Sequence, residues 1–327
     1  MLRKKTIGFL LKIGIVVFAV FFLYEQFKDL SSEERFDLDV ILNQVKEGYG
    51  LLIIVFLMML LNWLLESLKW QFLISKIERI TVKRSIRAVF SGITVSAFTP
   101  NRVGEYGGRV FCLETADRGQ GVLITIIGSM AQLLTTIFFG CIGLLFLPNY
   151  SPEFAKLIDS VEFGYPILVF LLLLLNVLMV VLFLNASMFS AMLSKINFLR
   201  KYEKYIEVFS YYTSAELAKV LLYSVARYAV FTSQFFILLQ LFDVDIIYAD
   251  AIALNVIMLL IISVIPNYFP IFEVAQRGPV AISLFSLVAV GQTVEIFSAT
   301  FVMWIINLLF PALIGTIFIF TLKFFRK

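Results

Sequence analysis

The stretch FTPNRVGEYGGR, residues 98–109, places two arginines and a glutamate directly after a proline in an otherwise apolar region. A second stretch, VIPNYFPIFEVAQR at 264–277, repeats the order: an apolar run, Pro-Asn, a glutamate, and an arginine four residues after that glutamate. Each stretch follows a hydrophobic segment that carries ionisable residues and precedes another long apolar segment. A polar break repeated in two halves of a hydrophobic chain predicts an all-α membrane protein built from two related units.

The composition excludes an ordinary soluble protein. The chain of 327 residues is 61% hydrophobic and 15% charged, whereas soluble chains carry about 25% charged residues. It contains no histidine, which rules out a histidine base, a Ser/His/Asp triad and histidine metal ligands. Cys112 and Cys141 lack CxxC spacing and are interpreted as packing residues. We therefore expect a polytopic integral membrane protein with no cofactor, no metal site and no catalytic residues.

Apolar runs of the length that crosses hydrocarbon predict the spans. The six predicted full spans are about residues 7–25, 49–68, 122–147, 164–184, 217–241 and 296–322. The first is expected to remain uncleaved, because Lys12 interrupts it and no small-residue cleavage site follows. Between the spans lie two broken stretches, 88–113 and 249–290, which are cut by Pro, Asn, Gly and ionisable residues.

The distribution of lysine and arginine predicts how the chain is oriented. These residues gather at 3–5, 69–87, 195–204 and 323–327, and the loops at 28–48, 148–164 and 243–250 are poorer in them. The positive-inside rule puts all four clusters in the cytoplasm, which requires each broken stretch to enter and leave on the same side. We expect a re-entrant hairpin opening to the cytoplasm at 88–113 and one opening outward at 249–290. The alternative is an ordinary kinked span, since membrane helices tolerate Pro and Gly.

On this topology the chain is a single domain, 1–327, whose repeat halves, about 49–147 and 217–322, are upside-down copies of each other. Inverted repeats whose broken helices meet near the midplane are a recurring design of transporters. The protein is expected in the plasma or inner membrane, with both termini in the cytoplasm.

The ionisable residues of the broken stretches predict a binding site. A charged side chain facing lipid costs about 2.5–3.5 kcal/mol, so these residues must face the protein interior or a wet cavity. Arginine binds phosphate bidentately, and the glycines after Pro100 allow backbone N–H groups to approach an anion. The predicted headgroup ligands are Arg102, Arg109, Arg277, Arg227, Asn101 and Asn267. The predicted orienting or proton-coupling residues are Glu105, Glu273 and Glu66, and the predicted helix breaks are Pro100, Gly104 and Pro266.

A structural alternative applies to the glutamates. The i,i+4 spacing of Glu105 and Arg109, and of Glu273 and Arg277, puts each pair on one helical face. Paired charge is the usual fate of a buried carboxylate, so these pairs are also explained as ion pairs that close the hairpins.

The motif PNRVGE at 100–105, preceded by ESLKW at 66–70, resembles the Pro-x-Arg-x-Gly-Glu signature of the lysylphosphatidylglycerol synthase transmembrane region family. Pro266 and Glu273 keep the family's seven-residue Pro-to-Glu spacing in the second half. The resemblance covers about residues 7–322. It implies translocation of lipids, such as aminoacylated phosphatidylglycerol or polyprenyl-linked sugars, between leaflets. Some members carry a soluble aminoacyltransferase domain, which we do not expect here because the chain ends just after its last span.

The leading hypothesis is therefore a lipid flippase that is not an enzyme. One alternative is an enzyme or accessory subunit of lipid glycosylation, with paired loop carboxylates as candidates: Asp37, Asp39, Asp243, Asp245 and Asp250. Another is a secondary transporter of a small anion, which the same pocket would serve. Beyond the lipid substrate, the candidate partners are a second copy of the chain or a lipid-modifying enzyme, and no nucleic acid is expected.

Overall fold

The computed structural model describes residues 38–151, 164–193, 203–266 and 273–319, and every regular element in these ranges is helical. In chain order the helices are α1 (Leu38–Glu47), α2 (Tyr49–Ile74), α3 (Val82–Ala97), α4 (Val103–Val110), α5 (Arg118–Leu144), α6 (Gly164–Leu184), α7 (Ala186–Leu193), α8 (Glu203–Ile206), α9 (Ser214–Leu241), α10 (Tyr248–Val264), α11 (Glu273–Phe285), α12 (Thr293–Trp304) and α13 (Phe310–Ile319). A π-helical turn, Ile305–Leu309, joins α12 to α13.

Five helical segments are long and apolar enough to cross a membrane. They are Tyr49–Ile74, Arg118–Leu144, Gly164–Leu184, Ser214–Leu241 and Thr293–Ile319, the last comprising α12, the π turn and α13. They correspond to five of the six predicted spans and confirm an all-α polytopic membrane protein. The sixth predicted span, at 7–25, lies outside the described residues, as do the basic clusters at 3–5 and 323–327.

One predicted loop is wrong in its last part. The segment Leu38–Glu47, placed in the loop 28–48, is the ten-residue helix α1. The helix is amphipathic and packs Ile41 against the core, with 6% of that residue exposed. Ile41 and the partly buried Val45 make too short an apolar stripe for hydropathy averaged over a span to detect.

The first hairpin, α3 and α4, has both of its ends at one face of the bundle. In the loop before α3, the carboxylate of Glu78 accepts hydrogen bonds from the backbone N–H groups of residues 114–116, which follow α4, at 2.8–3.1 Å. Lys76, after α2, pairs with Glu216 at the start of α9 at 2.6 Å. We call residues 75–87, 111–117 and 203–216 the basic face.

The second hairpin, α10 and α11, has both of its ends at the opposite face. Gln44, before α2, donates to Asp243 after α9 at 2.8 Å, and Gln292 before α12 donates to the Asp243 carbonyl at 2.9 Å. Tyr150, after α5, donates to Asp250 at the start of α10 at 2.8 Å. We call residues 44–48, 145–151, 242–250 and 286–292 the acidic face. The two hairpins thus open on opposite faces, and neither is a kinked span.

The packing of the two halves is reciprocal. Helix α3 packs along α13 of the other half, α10 packs along α5, and the two entering helices α2 and α9 pack on each other. Small residues bring these helices close: Gly315 lies against the Phe90 carbonyl, and Gly140 lies against Leu260. Each of these contacts has an equivalent that is made by the corresponding helices of the other half. Together with the opposite openings, this gives the inverted repeat.

Glu78 makes the basic face sensitive to acid. Its burial acts to raise the carboxyl pKa, but the backbone N–H groups of residues 114–116 outweigh that effect and lower the pKa from 4.5 to about 2. A pKa depressed in the folded state contributes stability above the unfolded value, and this contribution is lost as pH falls from about 4.5 to about 2. We expect Glu78→Gln to flatten this part of the stability profile, measured by thermal unfolding in detergent across that range; an unchanged profile would contradict the assignment.

The first hairpin closes on glycines. A Cβ atom added at Gly108 would lie 2.7 Å from the Gly92 Cα and 2.9 Å from the Ser91 carbonyl, so α3 and α4 touch backbone to backbone. At the neighbouring Gly107 the nearest atom, in the Phe111 ring, is 3.8 Å away. The two adjacent glycines therefore form a matched pair, one needed for packing and one not.

We expect Gly108→Ala to destabilise the protein by about 1–3 kcal/mol, because backbone atoms must move to admit the methyl group. Gly107→Ala should be neutral or stabilise by up to about 1 kcal/mol, since alanine is the better helix former. Unfolding midpoints of the two purified variants in one detergent give the comparison. Equal midpoints would show that the α3–α4 contact does not depend on glycine.

Candidate functional site

The tip of the first hairpin is an irregular turn. Pro100 begins a short 3-10 turn after α3, and both Asn101 (φ 49°) and Arg102 (φ 58°) adopt the left-handed conformation. The Thr99 hydroxyl accepts a hydrogen bond from the Gly104 N–H at 2.8 Å and closes the turn. Left-handed backbone costs a non-glycine residue about 1–2 kcal/mol. Such strain persists where the surroundings over-determine it, which often happens at functional sites.

The two hairpins meet at their tips through an ion pair. The Arg102 Nη2 atom lies 2.8 Å from Glu273 Oε2, and Glu273 is the first residue of α11. The second oxygen of Glu273 pairs with Arg277, one turn further along the same helix. The Arg102 side chain is 43% exposed, whereas that of Glu273 is 8% exposed. The ion pair thus joins the two hairpins. Arg102 belongs to the hairpin that opens on the basic face, and Glu273 belongs to the hairpin that opens on the acidic face.

A second cluster of charges surrounds Glu66 inside α2. Glu66 Oε1 lies 2.7 Å from Arg109 Nη1 of α4, and Oε2 lies 2.8 Å from the Lys69 ammonium and also pairs with Arg227 of α9. Arg109 pairs in addition with Glu105. Glu66, Lys69 and Arg109 are each at most 4% exposed. This cluster joins the first hairpin to both entering helices.

A cavity of about 480 Å³ lies between these two clusters. Its charged lining residues are Arg102, Glu105, Arg227, Glu273 and Arg277. Its amide and aromatic lining residues are Asn62, Asn101, Gln132, Asn307, Trp63, Tyr228, Phe231 and Trp304. The Arg227 guanidinium lies over the Trp63 ring at 5.4 Å, and that of Arg277 over the Phe231 ring at 5.5 Å. These cation–π contacts hold two arginines at the cavity wall.

Residues 9–315 match the family model described as lysylphosphatidylglycerol synthase TM region. The chain belongs to this family. The match includes both hairpins and all residues that line the cavity, and its description refers to the transmembrane region of the synthase. It indicates a lipid-related function in the membrane. No curated protein matches the chain.

Most of the predicted site residues of this synthase-type transmembrane region lie at the cavity. Arg102, Arg227, Arg277, Asn101, Glu105 and Glu273 all line it. Both predicted i,i+4 pairs, Glu105 with Arg109 and Glu273 with Arg277, are ion pairs in the structure. Pro266 follows the end of α10 as predicted, and Asn267 lies outside the described residues.

Other predicted roles are not supported by the geometry. Arg109 does not line the cavity, because its guanidinium is buried between Glu66 and Glu105, so we do not retain it as a headgroup ligand. Glu66 does not line the cavity either, but it pairs with Arg227, which does, and this contact agrees with its predicted orienting role. Gly104 serves packing, since a Cβ there would lie 2.7 Å from the Val95 carbonyl and its N–H is already bonded to Thr99.

Lys69 was assigned to a cytoplasmic basic cluster, and this assignment is wrong. The residue lies within α2, is 1% exposed and pairs with Glu66. Helix α2 continues to Ile74, beyond the predicted end of the span at residue 68, so Lys69 falls inside the bundle. A carboxylate one turn earlier was the signal that this lysine has a buried partner.

Several cavity residues were not identified from the sequence. Asn62 accepts a hydrogen bond from Arg227 Nε at 3.0 Å, and Gln132 of α5 lies 3.4 Å from Arg227 Nη1. Asn62 lies four residues before Glu66, on the same helical face, which is a readable signal. Gln132 is an isolated polar residue in an apolar helix, and such residues also hydrogen-bond across helices for stability alone.

Proposed function

We propose that the protein moves a lipid with an anionic phosphate headgroup between the two leaflets. The observation that supports this most is a positively charged cavity at the place where two re-entrant hairpins, open on opposite faces, meet at their tips. Moving a charged headgroup through hydrocarbon is costly, and a cavity lined by arginines replaces the water that the headgroup loses. The planar fork of arginine matches the oxygens of a phosphate.

The cavity wall also suits the lipid's hydrocarbon tails. The C-terminal end of α10 lines it with Ile262 and Ile265, and the adjoining Val264 is 75% exposed. An apolar, exposed helix end beside a charged cavity provides a lateral route on which tails remain in lipid while the headgroup enters. A transporter of a small soluble anion has no need of such a route.

The inverted repeat supplies access from both sides. Because each hairpin opens on one face, separating the tips at the Arg102–Glu273 pair in two alternative ways opens the cavity to either leaflet. In orientation, the basic face carries the clustered Lys76, Arg79, Lys83, Arg84 and Arg87, so by the positive-inside rule it is cytoplasmic. On this proposal the membrane is the plasma or inner membrane and both termini are cytoplasmic.

The geometry favours a carrier over an enzyme of lipid glycosylation. The loop carboxylates Asp243 and Asp250 accept hydrogen bonds from Gln44 and Tyr150 on the acidic face and do not line the cavity. Asp245 belongs to the same loop, and the side chains of Asp37 and Asp39 lie outside the described residues. Residue types that bind and orient an anion fill the cavity.

Reconstituted vesicles test the proposal. The purified protein is placed in vesicles containing a trace of phosphatidylglycerol with a fluorescent acyl chain, and dithionite is added to bleach only probe in the outer leaflet. We expect protein-containing vesicles to lose more fluorescence than empty ones, because probe from the inner leaflet is brought out. Equal bleaching for every anionic lipid tested would refute transport. Uptake of free phosphate would favour the small-anion transporter, and a change in lipid mass would favour the enzyme.

A further inference from the structure

Among the residues that the structure describes, the charges around the cavity do not balance, and their excess specifies the headgroup. Resting on the function proposed above, we infer that the preferred headgroup carries two negative charges, of which a phosphomonoester is the smallest example. Singly charged phosphodiesters and zwitterionic headgroups are the disfavoured classes.

The tip cluster, which consists of Arg102, Glu273 and Arg277, has one more positive charge than its carboxylate balances. Glu273 alone serves two arginines, with one oxygen on Arg102 and the other on Arg277. The Nε atom of Arg277 is buried and has no hydrogen-bond partner among the described residues. The Arg102 side chain is exposed over 43% of its surface and borders the cavity. A guanidinium has five N–H donors, so both arginines have donors to spare for a ligand.

The inner cluster, which is the one around Glu66, also has one positive charge in excess. Two carboxylates, Glu66 and Glu105, face three cations: Lys69, Arg109 and Arg227. The Lys69 Nζ atom lies near three acceptors: Glu66 at 2.8 Å, the Gly128 carbonyl at 3.2 Å and the Ser224 hydroxyl at 3.5 Å.

Both excess charges reach the same cavity, through Arg102 and Arg277 on one side and Arg227 on the other. Arginine does not lose its proton in proteins, so neither cluster can neutralise itself that way. The residues between α10 and α11 at 267–272, NYFPIF, include no aspartate or glutamate. An uncompensated buried charge costs several kcal/mol. A ligand with one negative charge compensates the excess positive charge of one cluster, and a ligand with two negative charges compensates that of both clusters.

Binding in detergent micelles tests the inference, with Trp63 and Trp304 at the cavity wall as fluorescent reporters. The probes are phosphatidic acid (a phosphomonoester), phosphatidylglycerol (a phosphodiester), zwitterionic phosphatidylcholine and inorganic phosphate. At pH near 7 the second phosphomonoester proton, with a pKa of about 6, is largely lost. We expect phosphatidic acid to bind about tenfold tighter than phosphatidylglycerol, as one further charge-assisted contact would give.

Two changes should remove that preference. Arg277→Gln lowers the excess by one charge, so the two anionic lipids should bind alike, whereas Lys83→Gln on the exposed basic face should leave the preference intact. In the unchanged protein, a pH near 5 leaves phosphatidic acid with about one charge and should equalise the two lipids. The charged groups that line the cavity are Arg102, Arg227, Arg277, Glu105 and Glu273, and Glu66, Lys69 and Arg109 contact two of them from behind the wall. None of these groups has an ordinary pKa between those two pH values.

Equal binding of the two anionic lipids at the higher of the two pH values would overturn the inference. A preference for phosphatidic acid that survives in Arg277→Gln would also overturn it. Displacement of phosphatidic acid by inorganic phosphate at matched concentration would overturn the claim that the ligand is a lipid. Failure here is separable from failure of the proposed function. If the vesicles transport phosphatidylglycerol but binding shows no charge preference, the proposed transport stands and the two-charge headgroup is refuted. If binding shows the preference but the vesicles transport no lipid, the two-charge headgroup stands and the proposed transport is refuted.

Discussion

Replacing Glu66 by glutamine should lower the free energy of unfolding by about 3–5 kcal/mol, the usual cost of removing one partner from a buried ion pair. Glu66 is 4% exposed and is the carboxylate on which Lys69, Arg109 and Arg227 converge. Without it, three cations face each other inside the bundle with Glu105 as the remaining carboxylate of that cluster. We expect low yield of folded protein and a large fall in the unfolding midpoint, measured by size-exclusion chromatography and thermal unfolding in detergent.

Glu105→Gln is the matched control for Glu66→Gln. It removes one carboxylate of the same cluster but leaves Arg109 paired with Glu66 at 2.7 Å, so its cost should be clearly smaller. A double variant, Glu66→Gln with Lys69→Met, removes one cation together with the anion and should recover part of the lost stability, since replacing both partners is less harmful than orphaning one. If the two single variants unfold at the same midpoint, Glu66 is not the centre of the cluster.

Replacing Arg102 by alanine should reduce lipid transport about 10–100-fold, as expected from loss of one charge-assisted hydrogen bond worth about 1.5–3 kcal/mol. The effect on folding should be small, because the Arg102 side chain is 43% exposed and Glu273 keeps its pairing with Arg277. The two readouts are the bleaching rate in vesicles and the unfolding midpoint in detergent. Activity and stability should therefore separate at this residue, in contrast to Glu66.

Arg102→Lys refines the test, since lysine keeps the charge but lacks the planar fork that matches phosphate oxygens. We expect its transport rate to fall between those of alanine and arginine. Lys83→Gln, which removes an exposed positive charge from the basic face, should transport lipid at an unchanged rate. Transport by Arg102→Ala at the full rate would mean that the headgroup does not pass this arginine.

Arg102 also links binding to the conformational change. In the structure described here its guanidinium binds the Glu273 carboxylate, which is an anion at the place where a phosphate would sit. A headgroup that binds Arg102 competes with Glu273 and so loosens the contact between the hairpin tips. Ligand binding and opening of the tips are then coupled through one guanidinium, since a ligand shifts an equilibrium only through differential contacts with its states.

The sequence by itself determined five of the membrane spans, the two hairpins and the local ion pairs. Apolar runs fix the spans because hydrocarbon thickness sets their length. The lysine and arginine clusters required two re-entrant hairpins, and the loop contacts of Glu78 and Asp243 bear this out. The pairs Glu105–Arg109 and Glu273–Arg277 were readable because i,i+4 spacing brings side chains together on any helix.

Only the tertiary structure decided how these parts come together. The Arg102–Glu273 pair joins residues 171 positions apart, and the convergence on Glu66 draws its cations from three helices. Arg102 and Arg109 are the same residue type seven positions apart, yet one borders the cavity and the other is buried between two carboxylates. Sequence spacing sets which side chains share a helical face. Which helix covers that face depends on how the two halves pack, and that decides which arginines remain open to a ligand.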